Sequence, residues 1–228
     1  MQSLGLFGGA ICVLHSGNCH MMEDVLDFFD KEGILQVSVV LGYSVGRGVS
    51  LSPLDGKRIL GAYKGIFGYL KKTGGNRVIE TKMAGMMSRF LHPPTTDDLR
   101  EILICSHPFC GAAVTTIYCD TEGQLFPCGC SITSSTNMLG KISKFDATGY
   151  LEVAEHFHQK GDKYYKECAI CRAARICSFG CPAFSKIDEK TAKAECQGTK
   201  AFYSFLERED RNSVQQLSTI LRSRHLGQ

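Results

Sequence analysis

The first third of the chain alternates between two hydrophobic rhythms. Gly8 to Leu14 (GGAICVL) is a short apolar run of the kind that forms a buried strand. Met22, Val25, Leu26 and Phe29 then recur at helical spacing, with Asn18 upstream as a cap and Gly33 as the stop. Ile34 to Leu41 (ILQVSVVL) is almost continuously apolar and β-branched, which predicts a strand covered on both faces. A glycine-rich turn follows at Gly42, Gly46 and Gly48. Ser52-Pro53-Leu54-Asp55 predicts a helix start, with Ser52 as the capping hydroxyl and Pro53 at the first helical position. Ile59, Leu60, Tyr63, Ile66, Phe67 and Leu70 form one face of that helix.

This β-α-β-α order implies a parallel sheet with right-handed crossovers. Two or three such strands neither close a barrel nor cover their own edges, so this part reads as the end of something larger. The prolines of His92-Pro93-Pro94-Thr95-Thr96 end it. Thr96-Asp97-Asp98-Leu99 then opens a short amphipathic segment that leads to Cys105. From Glu207 the chain turns polar and reads as a helical or frayed tail.

Composition adds one anomaly. Among 228 residues the apolar share is 43 %, the charged share 21 %, the net charge +3 and the pI about 8.2, which is too mild a balance to argue for nucleic acid. No apolar run reaches the roughly 18 residues of a membrane span. The apolar opening, Gly5 to Leu14, has no Lys or Arg before it, as an export signal would. A cytoplasmic setting is therefore expected. The anomaly is twelve cysteines, ten of them between Cys105 and Cys196. In a reducing compartment such a density of thiols predicts bound metal, with disulfides as the alternative in an oxidising one.

The cysteines fall into two groups. Cys105, Cys110 and Cys128, with Cys119 and Cys130 nearby, flank a predicted hairpin. Its strands are Val114 to Tyr118 and Gln124 to Pro127, and Gly123 in its turn is able to take positive φ. The second group is Cys168-x2-Cys171-x5-Cys177-x3-Cys181, then Cys196 after fourteen intervening residues. Two cysteines separated by two residues grip one metal or cluster from a tight turn. Four thiolates also suit structural zinc, so a zinc-binding interaction module is one alternative and a stand-alone electron carrier another.

The order Cys110-x12-Gly123-x4-Cys128, Cys168-x2-Cys171-x5-Cys177-x3-Cys181, Cys196 resembles the SPASM domain. That domain is the C-terminal extension of radical S-adenosylmethionine enzymes that modify peptides and proteins. Leu125-Phe126-Pro127-Cys128, Leu139-Gly140-Lys141-Ile142 and Gly180-Cys181-Pro182 carry the likeness further. The resemblance implies an α+β fold: an incomplete α/β layer, part of the radical-enzyme barrel, then a cysteine-rich SPASM domain with a β-hairpin and short helices. Its implied bounds are 1–91 for the barrel remnant, 92–104 for a linker, 105–206 for the SPASM domain and 207–228 for the tail. It further implies two [4Fe–4S] clusters. Cys168, Cys171, Cys177 and Cys196 would hold one. Cys110, Cys128 and Cys181 would hold the other with Cys105, ahead of Cys130 and then Cys119. A peptide or protein is the implied substrate.

Two departures qualify the resemblance. The family's catalytic cluster is held by cysteines spaced three and then two residues apart, and no cysteines here have that spacing. Cys177 and Cys181 supply the first interval, but Phe184 stands where the third cysteine should be. Reductive cleavage of S-adenosylmethionine by this chain alone is therefore not expected. The chain reads as a fragment, a truncated product or a subunit completed by another radical-enzyme chain or by a missing N-terminal half. Second, sulfatase maturases carry a proton-accepting aspartate after the cysteine matched by Cys128, where this chain has Gly129. A relative that cross-links ribosomally made peptides fits better. Cys12 and Cys19 read as small buried hydrophobes, His107, His156 and His158 as ordinary core or surface histidines, and Asp120 and Glu122 as turn residues.

Overall fold

In the computed structural model, which describes residues 9–44, 52–93, 112–113, 116–132, 137–158, 167–177, 180–181, 183 and 187–226, the first apolar run is strand β1 (Ala10–Leu14). Helix α1 (Met22–Lys31), strand β2 (Gln36–Leu41), helix α2 (Gly56–Thr73), strand β3 (Ile79–Glu80) and helix α3 (Thr81–Leu91) follow. The strands lie in the order β1-β2-β3 and all pairs are parallel. Leu14 sits opposite Leu41, and Val37 opposite Glu80. The sheet stays open, and no barrel closes among the described residues.

Helices α1, α2 and α3 pack on one face of this sheet. Cys12, Leu14, Val37 and Val39 therefore join Leu26, Ile66, Leu70 and Met87 in one core. Among the described residues the opposite face is uncovered: Ile11 is 73 % exposed, Val13 47 % and Val40 37 %. The expectation of two covered faces fails for that reason. Apolar sequence on both faces of a strand does not itself supply a second layer.

Two cap assignments also change. Asn18 does not cap α1, whose first turn is preceded by Met21 without a side-chain bond. Its amide instead closes the preceding loop, accepting from His15 N and donating to Val13 O. Helix α2 is capped by Asp55, which accepts from Arg58 N at 2.8 Å, rather than by Ser52. Gly33 does end α1, with φ +72°.

The cysteine-rich part builds a second, antiparallel sheet from β4 (Tyr118–Cys119), β5 (Gln124–Phe126) and β6 (Gly140–Lys141). The predicted hairpin is present as β4-β5, with its first strand at Tyr118–Cys119 rather than Val114 to Tyr118 (114 and 115 lie outside the described residues), and Gly123 takes the left-handed conformation in its turn. Asp120 stabilises that turn by accepting from Glu122 N and Gln124 N. Helix α4 (Ala147–His158) covers this sheet through Ala154, beside Leu125 and Leu139.

Helix α5 (Glu189–Leu206) returns to the first layer. Phe202 meets Tyr63 and Phe67 edge-on, with ring centroids 5.4 and 6.4 Å away. Helices α2 and α5 approach closely because glycine faces each of them. A methyl at Gly198 would lie 2.5 Å from Ile59 Cγ2, and one at Gly56 2.7 Å from Gln197 Cβ. Gly198→Ala is expected to destabilise by about 1–2 kcal/mol, because overpacking outweighs the helix propensity gained. Gly61→Ala, on the exposed side of α2 with open space around it, is expected to stabilise by about 0.5–1 kcal/mol. Urea melts of both variants check the opposite signs. The helical alternative for the 207–228 tail holds over α6 (Arg211–Leu226), which packs on α3 and buries Val214 and Leu217 in the main core.

Candidate metal centre

The second cysteine group sits where the cysteine-rich part meets the main core. Cys171 N donates to Cys168 O at 3.1 Å, forming the tight turn that two intervening residues allow. Cys171 then caps a 3-10 helix (Arg172–Arg175), and Cys177 N closes it on Ala173 O at 3.0 Å. Cys196 comes from the middle of α5, one turn before Lys200. The Lys200 ammonium lies within electrostatic reach of Cys196, Cys171 and Cys168, and these groups hold its pKa above the ordinary value. Burial pushes the Cys196 thiol up, against the pull of Lys200. Cys177 lies near Arg89, whose Nη2 donates to Ile176 O at 2.8 Å. Burial lowers the Arg89 pKa and Cys177 opposes the shift.

In the first group, Cys128 and Cys181 pack against the same small apolar cluster of Ala112, Phe157 and Ala183. Cys128 N donates to Ser131 Oγ at 3.2 Å, and that hydroxyl donates back to Cys128 O at 2.7 Å. Hydrogen bonding from Cys130, helped by Ser131 and opposed by burial, brings the Cys128 thiol down to about 6 from an ordinary 9.0. Cys119 is exposed and its thiol turns to Asp120 O at 3.5 Å. Cys130 is also exposed. Cys105 and Cys110 lie outside the described residues.

The low Cys128 pKa predicts selective alkylation of the reduced, metal-free chain. Cys128 is expected to react half-maximally near pH 6, and Cys130→Ala to move that midpoint up towards 9.0. Mass-spectrometric mapping of iodoacetamide adducts across pH reads both.

Among the described residues, no group of three or more His, Cys, Asp or Glu side chains is closed into metal-holding geometry. The donor set nevertheless suits an iron–sulfur cluster in its chemistry. The ligand candidates are thiols, and two cations, Lys200 and Arg89, sit where surplus negative charge would collect. Cys12 and Cys19 pack with the main core instead, and burial raises the Cys12 thiol. Sequence reasoning passed over Lys200 and Arg89, together with Tyr43, Lys82 and Glu195 described below. Only Lys200, four residues after Cys196 on one helix face, left a readable signal.

No protein-family model and no curated protein matches the sequence. Solved structures do match. Hexahistidine-tagged anSMEcpe with bound AdoMet, an anaerobic sulfatase-maturating enzyme, aligns with a TM-score of 0.66 at 19 % identity, over 98 % of this chain and 60 % of that one. Native anSMEcpe with bound AdoMet gives 0.65 at 19 %, over 96 % and 58 %. Native anSMEcpe with bound AdoMet and the Kp18Cys peptide gives 0.63 at 18 %, over 97 % and 59 %. The likeness is one of fold. This chain spans about three-fifths of the length of the enzyme it matches.

No helix among the described residues is long and apolar enough to cross a membrane.

Proposed function

We propose that this chain is the SPASM-type cluster-binding region of a radical S-adenosylmethionine maturase of peptides or proteins, extending over residues 105–206. Cys168, Cys171, Cys177 and Cys196 hold one [4Fe–4S] cluster, and Cys105, Cys110, Cys128 and Cys181 hold the other. The observation that carries this reading is the convergence of thiols from separate stretches. Cys128 and Cys181 share one apolar neighbourhood, and Cys168, Cys171 and Cys196 share the field of Lys200. The fold likeness to anSMEcpe supports it independently.

When bound, such clusters supply one-electron transfer, and burial and hydrogen bonds to sulfur set their potentials. The chain's own residues bind the clusters and keep water from part of their surface. The rest of the α/β layer, in this polypeptide or in a partner, completes the open sheet. Among the described residues β1 pairs only with β2, and Ile11, Val13 and Val40 form an uncovered apolar face beside that edge. Gly129 leaves no proton acceptor after Cys128, which favours peptide cross-linking over sulfatase maturation.

Anaerobic reconstitution followed by iron and sulfide analysis and Mössbauer spectroscopy tests the reading. About eight irons and eight sulfides per chain are expected. A colourless protein with stoichiometric zinc overturns it in favour of an interaction module. Production of 5′-deoxyadenosine by the reconstituted chain alone would overturn its dependence on a completing part.

A further inference from the structure

Beside the thiols lies a set of enclosed polar residues that cluster ligation does not itself require. Lys82, in the first turn of α3, reaches Glu195 on α5, with Nζ–Oε1 at 2.9 Å. The other Glu195 oxygen accepts from the Tyr43 hydroxyl at 3.0 Å. The Cys181 backbone hydrogen-bonds to that same hydroxyl. Tyr63 of α2 presents its ring 5.5 Å from the Lys82 ammonium. The two charged side chains are only 22 % and 13 % exposed, and both tyrosines are buried.

Such an ion pair is weak evidence for stability, since desolvation consumes most of the Coulomb gain. What it supplies here is placement. The chain of bonds runs from Lys82 to Glu195, then to Tyr43, then to the Cys181 backbone. Glu195 immediately precedes Cys196. Around this line the backbone is held close. A methyl at Gly180 would stand 3.7 Å from Glu195 Oε2 and 4.0 Å from Tyr43 Oη. Asp188, the cap of α5, accepts from Ser44 N at 2.9 Å, beside Tyr43. Helix α3, helix α5 and the segment after β2 thus meet beside Cys181 and Cys196.

We propose that Lys82, Glu195 and Tyr43 are positioning residues that fix Cys181 and Cys196 together, through one shared carboxylate. The inference rests on the proposed function only for what those thiols hold. The relay is made of protein side chains alone and is testable in the reduced, metal-free chain. Tyr43→Phe keeps the ring and removes the hydroxyl that Glu195 and the Cys181 backbone share. Glu195→Gln keeps the shape and removes the charge, so it loosens both thiols. Lys82→Met strands the carboxylate and acts in the same direction.

The experiment is thiol-resolved alkylation of the full, reduced, metal-free chain, followed by iron content and midpoint potentials after reconstitution. Rates are taken across about pH 7 to 10, so that altered access separates from an altered thiol pKa. Tyr43→Phe is expected to speed modification of Cys181 about three- to tenfold, the size of one lost hydrogen bond, with Cys119 and Cys168 unchanged. Glu195→Gln is expected to speed Cys181 and Cys196 together. In the reconstituted variants the midpoint potentials of both clusters are expected to shift. Unchanged Cys181 rates in both variants overturn the proposal. So does a proportional rise at every thiol, which would mark the relay as general support for the fold. If Tyr43→Phe fails to fold, Glu195→Gln and Lys82→Met carry the same test. A chain that takes up no iron yet shows the selective rise at Cys181 keeps the relay and loses the cluster reading.

Discussion

Replacing Glu80 by alanine is expected to cost about 3–5 kcal/mol and to disrupt the parallel layer, because two buried N–H groups and a third, partly buried one lose their acceptor together. Strand β3 has only two residues, so on its β3 side strand β2 has no ladder partner at Val39. The Glu80 side chain takes over, with Oε1 accepting from Val39 N at 2.8 Å. The same carboxylate caps α3, accepting from Lys82 N at 3.2 Å and Met83 N at 2.5 Å. One buried residue, 1 % exposed, thus joins strand to helix. Typical domain stabilities are about 5–15 kcal/mol, so the loss is a large fraction of the whole. Denaturant melts of the reduced chain measure it, and a loss below about 1 kcal/mol would contradict the account.

A pH dependence accompanies this residue. Burial holds the Glu80 carboxyl above its ordinary 4.5, and the three N–H donors oppose the shift without cancelling it. The folded chain therefore binds this proton more readily than the unfolded chain. The sign follows from linkage: the residue's contribution is full below the ordinary pKa and falls as pH rises through the raised value. Glu80→Gln, which keeps one acceptor oxygen, is expected to lose less stability than the alanine variant and to lose this slope as well.

Much of this architecture was legible from periodicity. Met22, Val25, Leu26 and Phe29 gave α1, and Ile59 to Leu70 gave α2, because long amphipathic patterns leave little choice of face. The hairpin was legible from Asp120 to Gly123, where turn chemistry is local. Strand β3 and helix α3 were not. A two-residue strand has no period, and α3 starts directly after it with the strand's last residue, Glu80, as its cap, so no polar break separates the two elements. The cap of α2 was misplaced because Ser52 and Asp55 have nearly equal capping preference, and only the path of the backbone separates them. At the candidate site, the cysteine groups stood out because thiols at short spacing sit in one stretch of sequence. The relay could not. Its Tyr43–Glu195 bond joins residues 152 positions apart, and no pattern in either segment points to the other.

The loop from Cys177 to Cys181 carries the other large effect. Under the proposed assignment these two cysteines, separated by three residues, serve different clusters. Cys177 lies near Arg89, whereas Cys181 packs with Cys128 against Phe157. Cys181→Ala is therefore expected to remove one cluster and keep the other, taking the iron content from about eight to about four per chain. Cys177→Ala is expected to produce the complementary loss. The two half-loaded proteins should differ in midpoint potential, because the first group and the second have different surroundings, and Lys200 lies beside the second. Cys119→Ala serves as the control, and its exposed thiol predicts no loss of iron. If a single site used both loop cysteines, either substitution would abolish the same spectrum. Anaerobic iron assays with electron paramagnetic resonance of the reduced variants distinguish these outcomes. The crossing also predicts that losing either cluster leaves the other cysteine's backbone held, because Arg89 secures Ile176 and Tyr43 secures Cys181 from separate elements.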